Sequence, residues 1–172
     1  GRGDPVELEM TYVTETFFDA LGAPVALGRA LDADDHRLAK RSAVISDGMW
    51  RTQLGADRRV LGSTITLRGD TYTIVGVMSP DMKHPTPEAA AWVPHSLVEP
   101  NMFSNGMPKR GDRYLLSVGR LADGMTAEQA QQELTALSQE LANAHPESNA
   151  DWVAAAVIPL HTALTGDVQK AL

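Results

Sequence analysis

Residues 63–77, STITLRGDTYTIVGV, carry the clearest structural signal in the sequence. Two alternating runs rich in β-branched residues, 63–67 and 71–77, flank the short polar segment 68–70. This pattern predicts two antiparallel strands joined by a tight turn, in which Gly69 adopts a positive φ without steric cost. The stretch therefore predicts a β-hairpin, and the tripeptide RGD within it is interpreted as a turn and not as an adhesion motif.

Strand and helix signals alternate on the N-terminal side of this hairpin. A strand pattern at 6–13, a short helix that ends at Gly22 and a second strand pattern at 24–31 form a strand, helix, strand unit. A short apolar run at 43–46 follows, and its last residue, Ser46, is a suitable N-cap for a helix that ends at Gly55.

A second strand, helix, strand unit is predicted near the C-terminus. Alternating residues at 113–121 indicate a strand, and Thr126 with Gln129 forms a capping box for an amphipathic helix that ends before His145. The apolar run within 151–160 indicates a closing strand.

The order of these signals predicts an α+β fold with two subdomains. Residues 1–31 and 111–172 are expected to form one layer from the two strand, helix, strand units. Residues 32–110 are expected to form an inserted, mixed α/β subdomain.

Composition excludes several classes of function. The chain has 172 residues, a formal net charge of −7 and no cysteine. Its acidic balance argues against nucleic-acid binding, and the missing cysteine excludes disulfides and thiolate metal sites. No apolar run approaches the roughly 20 residues that span a bilayer.

The region from 78 to 110 is rich in proline and loses its periodicity, although 91–97 leaves room for a short strand that ends at Pro94. A long irregular stretch of this kind is often functional. Its methionines and histidines suit either an adaptable apolar contact surface or a soft metal such as Cu(I). They are Met78, Met82, Met102, Met107, His84 and His95.

Other candidate chemistry fails on spacing. The acidic run at 32–36 resembles the start of a calcium loop, but Arg37 and Ala43 stand where that loop needs glycine and an acid. No two histidines have the helical spacing of a zinc pair, and no nucleophile, phosphate-loop or dinucleotide motif is present. An enzyme whose groups assemble only in the folded chain stays an alternative.

The order of motifs resembles the periplasmic core domain of MacB-like ABC transporter permeases, within the FtsX-like group. That family shows paired aromatics before a Leu-Gly helix end, a Gly-Arg pair before an acidic stretch, the segment AVIS, spaced glycines and a strand reading YTIVGV. Here these features are Phe17, Phe18, Leu21, Gly22, Gly28, Arg29, 43–46, Gly55, Gly62, Ile65 and 72–77.

This resemblance implies a non-catalytic extracytoplasmic domain between transmembrane helices one and two, on the periplasmic side of the cytoplasmic membrane. The layer of 1–31 and 111–172 would be the membrane-proximal Porter-like subdomain, and 32–110 the membrane-distal Sabre-like subdomain. No cofactor is implied. The implied partners are a second permease subunit, a cytoplasmic ATPase and a periplasmic adaptor or substrate.

Two sets of site residues accompany this interpretation. A moving lever needs hinges between packed bodies, and the crossings between the predicted subdomains contain Gly28, Arg29, Lys109 and Gly111. Contacts with a partner or substrate are expected in the irregular region, at Met82, His84, Met102, Phe103 and Met107. The alternative function is a free periplasmic binding module for a soft metal or an apolar ligand.

The final residues, 165–172, have the pattern of a helix start with Thr165 as N-cap. In the resembling family such a segment enters the second transmembrane helix. We therefore expect the gene to encode a run of roughly 20 apolar residues within about 40 codons after Leu172. Reading the gene tests this, and a stop codon or polar linker there would favour the binding module.

Overall fold

The computed structural model describes residues 8–82, 89–98 and 109–164. It divides into two compact units, Gly1–Met102 and Phe103–Leu172. The predicted helix start at 165–172 lies outside the described residues.

The first unit is built on a six-stranded mixed sheet. Its strands are β1 (Glu9–Val13), β2 (Val25–Gly28), β3 (Ser42–Ile45), β4 (Thr64–Leu67), β5 (Asp70–Met78) and β6 (Ala89–Pro94). Its helices are α1 (Phe17–Leu21), α2 (Ala33–Arg37) and α3 (Asp47–Leu54), with 3-10 turns at Arg58–Val60 and His95–Leu97.

The strands follow the order β1-β6-β3-β5-β2, and β4 pairs with β5 outside this path. The pairs β1 with β6 and β3 with β5 are parallel. The pairs β3 with β6, β2 with β5 and β4 with β5 are antiparallel. Consequently β3 and β5 end at the same edge of the sheet at which β6 and β1 begin.

The predicted hairpin is confirmed as β4 and β5, paired from Thr64 with Thr73 to Leu67 with Asp70. Its two turn residues both have positive φ, 49° at Arg68 and 90° at Gly69. Two consecutive positive φ angles define the type I′ turn, whose twist matches that of paired strands. The predicted α+β class and the short strand ending at Pro94, now β6, are confirmed as well.

The arrangement of the N-terminal unit differs from the prediction. β1 and β2, the strands of the N-terminal strand, helix, strand unit, are not neighbours and lie at opposite ends of the sheet that also contains β3 to β6. β3 is buried along its whole length and takes β5 and β6 as neighbours, so β1 and β2 occupy the remaining edges. The predicted subdomain boundaries and their membrane-proximal and membrane-distal roles stay predictions.

Both faces of the sheet are covered by apolar clusters, as the two-residue period of a strand requires. Ala43 and Ile45 contribute to one cluster, whereas Val44 between them contributes to the other. The same alternation separates Val93 from Trp92 in β6. A central strand that is buried on both faces has a continuous run of apolar residues in its sequence. This explains why residues 43–45 of β3 are all apolar.

The second unit contains α4 (Ala127–Ala144), α5 (Pro146–Asn149) and α6 (Leu160–Leu164). The predicted capping box of Thr126 and Gln129 is confirmed, and α4 ends before His145 as expected. None of the described helices is both long enough and apolar enough to cross a membrane.

The two strands predicted at 113–121 and 151–160 are wrong, since the described residues 109–164 contain no β-strand. Apolar side chains of both segments are exposed, with Leu116 at 91% and Trp152 at 51%, so neither segment is buried as a strand of a covered sheet. In the second segment, backbone groups bond to Gln131 of α4. Its side-chain amide donates to the carbonyl of Ala155 and accepts from the backbone N–H of Val157 at 2.6 Å. A helix side chain thus provides the hydrogen bonds that a neighbouring strand would have provided.

The end of β2 passes very close to β5. Gly28 pairs with Gly76, and a Cβ atom on Gly76 would collide with the backbone carbonyl of Arg29. A Cβ on Gly28, which has a φ of 75°, would collide with the carbonyl of Val75. Only glycine fits at either position, because the colliding atoms are backbone atoms.

We expect Gly76→Ala to lower the free energy of unfolding by about 3 kcal/mol or more, because the backbones must separate to admit a methyl group. Urea unfolding followed by circular dichroism measures the loss. Gly119→Ala is the matched control, because open space surrounds Gly119. An equal effect of the two substitutions would refute the close approach.

Candidate functional site

A cavity of about 410 Å³ lies at the edge of the sheet where β3 and β5 end and β6 begins. Met49, Met78, Met82 and Trp92 line it together with small apolar residues, and hydroxyl groups lie among them. Met82, one of the predicted contact residues, is therefore part of a concave surface.

Helix α3 forms one wall, and its start is fixed by Ser46. The Ser46 hydroxyl accepts a hydrogen bond from the backbone N–H of Met49 at 3.2 Å, which caps the helix as the sequence predicts. Gly55 ends the helix in the left-handed conformation. The side chains of the first turn, including Asp47 and Met49, thereby line the cavity.

The turn after β5 forms the opposite wall. The Met82 N–H donates to the carbonyl of Ser79 at 3.1 Å, and the Ser79 N–H donates to the carbonyl of Pro24 at 3.0 Å. These bonds hold the chain close to the sheet, so that Met82 packs on the same apolar cluster as Met78.

Among the described residues of the cavity wall, Asp47 is the charged one. Its Oδ2 accepts from Nε of Arg51 at 2.7 Å, one helical turn away. Its Oδ1 is buried and has no hydrogen-bond partner among the described residues. A buried carboxylate oxygen without a donor is costly, so this atom is a local cost to stability at the start of α3.

A second polar group connects β2, α2 and β3. The carboxylate of Asp35, which is 0% exposed, accepts from Arg29 Nη1 at 2.5 Å and Nη2 at 3.2 Å. It also accepts from the Ser42 hydroxyl at 2.7 Å and the Asp32 N–H at 3.0 Å. Asp32 and Asp35 form a reciprocal capping box at the start of α2.

Burial alone would raise the pKa of Asp35 because it disfavours the charged form. The hydrogen bonds from Arg29, the Asp32 backbone and Ser42 outweigh burial and lower the pKa from 3.8 to about 2. The carboxylate is therefore ionised at neutral pH, and its chemistry is that of a structural ion pair. Nearby, burial lowers the pKa of His36 despite the opposing charges of Glu15 and Asp35.

The residues predicted as hinges lie in two different places. Gly28 and Arg29 belong to the close crossing of β2 and β5, where the Arg29 N–H donates to the carbonyl of Val75 at 3.0 Å. Lys109 and Gly111 lie in a turn of the second unit, closed by a bond from the Lys109 N–H to Asp112 at 2.7 Å. Their hinge role stays a prediction.

Of the predicted contact residues, Met82 alone falls within the described part of the chain. His84, Met102, Phe103 and Met107 lie outside it. No group of three or more His, Asp or Glu side chains suited to a metal is found in residues 8–82, 89–98 and 109–164.

Sequence reasoning missed the buried role of Asp35 and the position of Asp47. The run DADDH is typical of a solvated turn near a helix start, and Asp32 and Asp35 have the three-residue spacing of a capping box. That spacing predicts a helix start, but only the fold shows that Ser42 and Arg29 meet the same carboxylate.

With the fold and the cavity described, comparison with known proteins identifies the family. The family model described as MacB-like periplasmic core domain matches residues 1–137, so the chain belongs to this family of ABC transporter permease domains. The match covers the entire six-stranded sheet and the first half of α4.

Relatives in Burkholderia are similar to this chain. The Macrolide export ATP-binding/permease protein MacB of Burkholderia pseudomallei (strain 1710b) is 30% identical over 143 residues, which cover 79% of this chain. The protein of the same name in Burkholderia lata is 31% identical over 140 residues. The chain spans about a fifth of the length of the relatives, 20% and 19%.

Solved structures share the fold. The periplasmic region of MacB from Actinobacillus actinomycetemcomitans superposes with a TM-score of 0.60 at 19% identity, covering 87% of this chain and 62% of the other. The extracellular domain of the noncanonic ABC-type transporter YknZ from Gram-positive bacteria gives 0.56 at 16% identity, with coverage of 81% and 65%.

We expect Asp35→Asn to lower the free energy of unfolding at pH 7 by about 3 kcal/mol, because Arg29 and Ser42 lose their charged acceptor. Urea unfolding measures this. Asp34→Asn is the control: Asp34 pairs with Arg37 on the exposed surface, where such pairs contribute about 0.5 kcal/mol or less.

The pH dependence separates the ion pair from a packing effect. Because folding lowers the pKa of Asp35, its contribution of about 2 kcal/mol is present above the unfolded pKa and is lost as pH falls toward about 2. Between pH 5 and pH 2 the wild type should therefore lose more stability than Asp35→Asn. Parallel pH profiles for the two proteins would contradict the assignment.

Proposed function

We propose that this chain is the extracytoplasmic domain of an ABC permease, inserted between its first two transmembrane helices. The domain would transmit motion, driven by ATP hydrolysis on a separate nucleotide-binding domain, to an exported substrate or a periplasmic partner. The observation that carries the proposal is the family match over residues 1–137. The ATP-binding/permease proteins to which the chain is similar are transporters in which it corresponds to about 20% of the length.

The physical properties of the first unit support a mechanical role. Transmission of force requires a body that moves as a whole. The sheet is covered on both faces, and the Arg29 to Asp35 ion pair joins the end of β2 to α2 and β3. Motion applied at one edge of this sheet would be carried across it.

This role requires neither a catalytic residue nor a cofactor in the domain. Its partners would be a second permease subunit, a cytoplasmic ATPase and, at the membrane-distal tip, a periplasmic adaptor or substrate. The site of action would be the periplasmic side of the cytoplasmic membrane.

One observation favours the alternative, a free periplasmic binding module for an apolar ligand or soft metal. It is the methionine-lined cavity at the end of β3 and β5. The family match ranks the permease role first, and a cavity is compatible with both.

Distances between spin labels in the full-length permease test the mechanical role. The chain has no cysteine, so introduced cysteines give unique labelling positions within it. We expect the distance between labels at Thr71 and Gln139, one in each unit, to change by more than about 2 Å between the nucleotide-free and the ATP-trapped permease.

The matched control is a pair within the first unit, at Asp19 and Thr71, which should keep its distance because both lie on one sheet-centred body. All of these positions are exposed, so labels are tolerated. An unchanged Thr71 to Gln139 distance, or a change within the control pair, would contradict transmission by rigid units.

A further inference from the structure

The cavity occupies a position in the sheet where ligands commonly bind. The parallel strands β3 and β5 both end there, and open sheets bind ligands beyond the carboxyl ends of such strands. Its volume of about 410 Å³ falls in the range of small-molecule sites, roughly 300–1,000 Å³.

The cavity walls combine methionines from both faces of the sheet with the polar side chains of Ser46, Thr52, Gln53 and Ser79. Met49 belongs to the apolar cluster on one face, whereas Met78, Met82 and Trp92 belong to the cluster on the other. Methionine side chains are flexible and polarisable, so they adjust to ligands of different shape. An apolar ligand at this edge would contact thioethers on two sides.

The charge of the cavity selects among apolar ligands. Among the described residues that line it, Asp47 is the charged one and none is basic. Arg51 neutralises one oxygen of this carboxylate, while Oδ1 is left without a partner in the described part of the chain. The Asp47 side chain stays 11% exposed, so its carboxylate places negative charge at the cavity wall, which attracts a cation and repels an anion.

We propose that this cavity binds a small apolar molecule that carries one protonated amine. The apolar part lies between Met49 and Met82, and the amine donates to the carboxylate of Asp47. The site belongs to the first unit, so binding does not depend on whether the chain acts in transport.

Methionine methyl resonances of the 172-residue chain report on this cavity directly. The probe is 1-naphthylmethylammonium, compared with neutral 1-naphthylmethanol and anionic 1-naphthylacetate. We expect the amine to shift the methyl signals of Met49, Met78 and Met82 but not those of Met10 in the core or Met125 in the second unit. The amine should bind at least about tenfold more tightly than the anion.

Two substitutions separate ligand binding by Asp47 from its structural ion pair. Asp47→Asn should weaken amine binding about tenfold and change binding of the neutral probe less than about twofold. Arg51→Gln breaks the same ion pair but leaves the carboxylate charge, so amine affinity should stay equal or rise. If the two variants lose amine affinity alike, the carboxylate does not contact the ligand.

Filling the cavity provides a third variant. A Cβ on Gly48 would lie 3.9 Å from the Ser46 hydroxyl, an ordinary contact, so side chains are tolerated there. Gly48→Leu should abolish binding of both the amine and the neutral probe, whereas Gly48→Ala should retain it. Unchanged Met10 and Met125 signals establish that each variant is folded.

Three results would overturn the proposal. The first is the absence of shifts at Met49, Met78 and Met82 with millimolar amine. The second is equal affinity for the amine and the anion. The third is a response of these methyl groups to Ag⁺ alone, which would assign the cavity to a soft metal ion.

Discussion

The close passage of β2 over β5, followed at once by the Arg29 to Asp35 ion pair, is the constraint on which the first unit depends. Gly28 and Gly76 let the two backbones meet, and the Arg29 side chain then reaches the buried carboxylate. The same carboxylate accepts from Ser42, the first residue of β3. One acid thus connects an edge strand, a helix start and the central strand.

The energetics of this group explain why it specifies the fold. A carboxylate that is 0% exposed loses its hydration, and it is stable only where donors replace the lost water. Here the donors come from β2, α2 and β3, so the cost is offset only if all of these elements are in place. Arg29 remains 44% exposed, so one partner of the pair keeps much of its hydration. Alternative arrangements of β2 would leave Asp35 buried and unpaired.

Turns and helix caps could be predicted from the sequence, whereas the order of the strands in the sheet could not. The hairpin around Gly69 and the caps at Ser46 and Thr126 depend on a few adjacent residues, so their patterns suffice. The order of the strands depends on which edges β3, β5 and β6 leave open, and that is a property of the whole sheet. The apolar run within 151–160 indicated a strand, but apolar residues alone fix neither burial nor a partner, and Trp152 is 51% exposed. Here the partner is a glutamine side chain on α4.

The bonds that hold the sheet together differ from those that hold the segments around the cavity, which bears on the proposed mechanical role. The sheet is held by contacts that cross it, such as the pairing of Val25 with Met78 and of Gly28 with Gly76. The cavity is lined partly by strand residues such as Met78 and Trp92, but Met49 and Met82 come from the segments after β3 and β5, which are held by the Ser46 cap and the turn at Ser79. A ligand can therefore displace Met82 without disturbing a strand pair. Binding at the edge and rigidity of the sheet are compatible because different bonds maintain them.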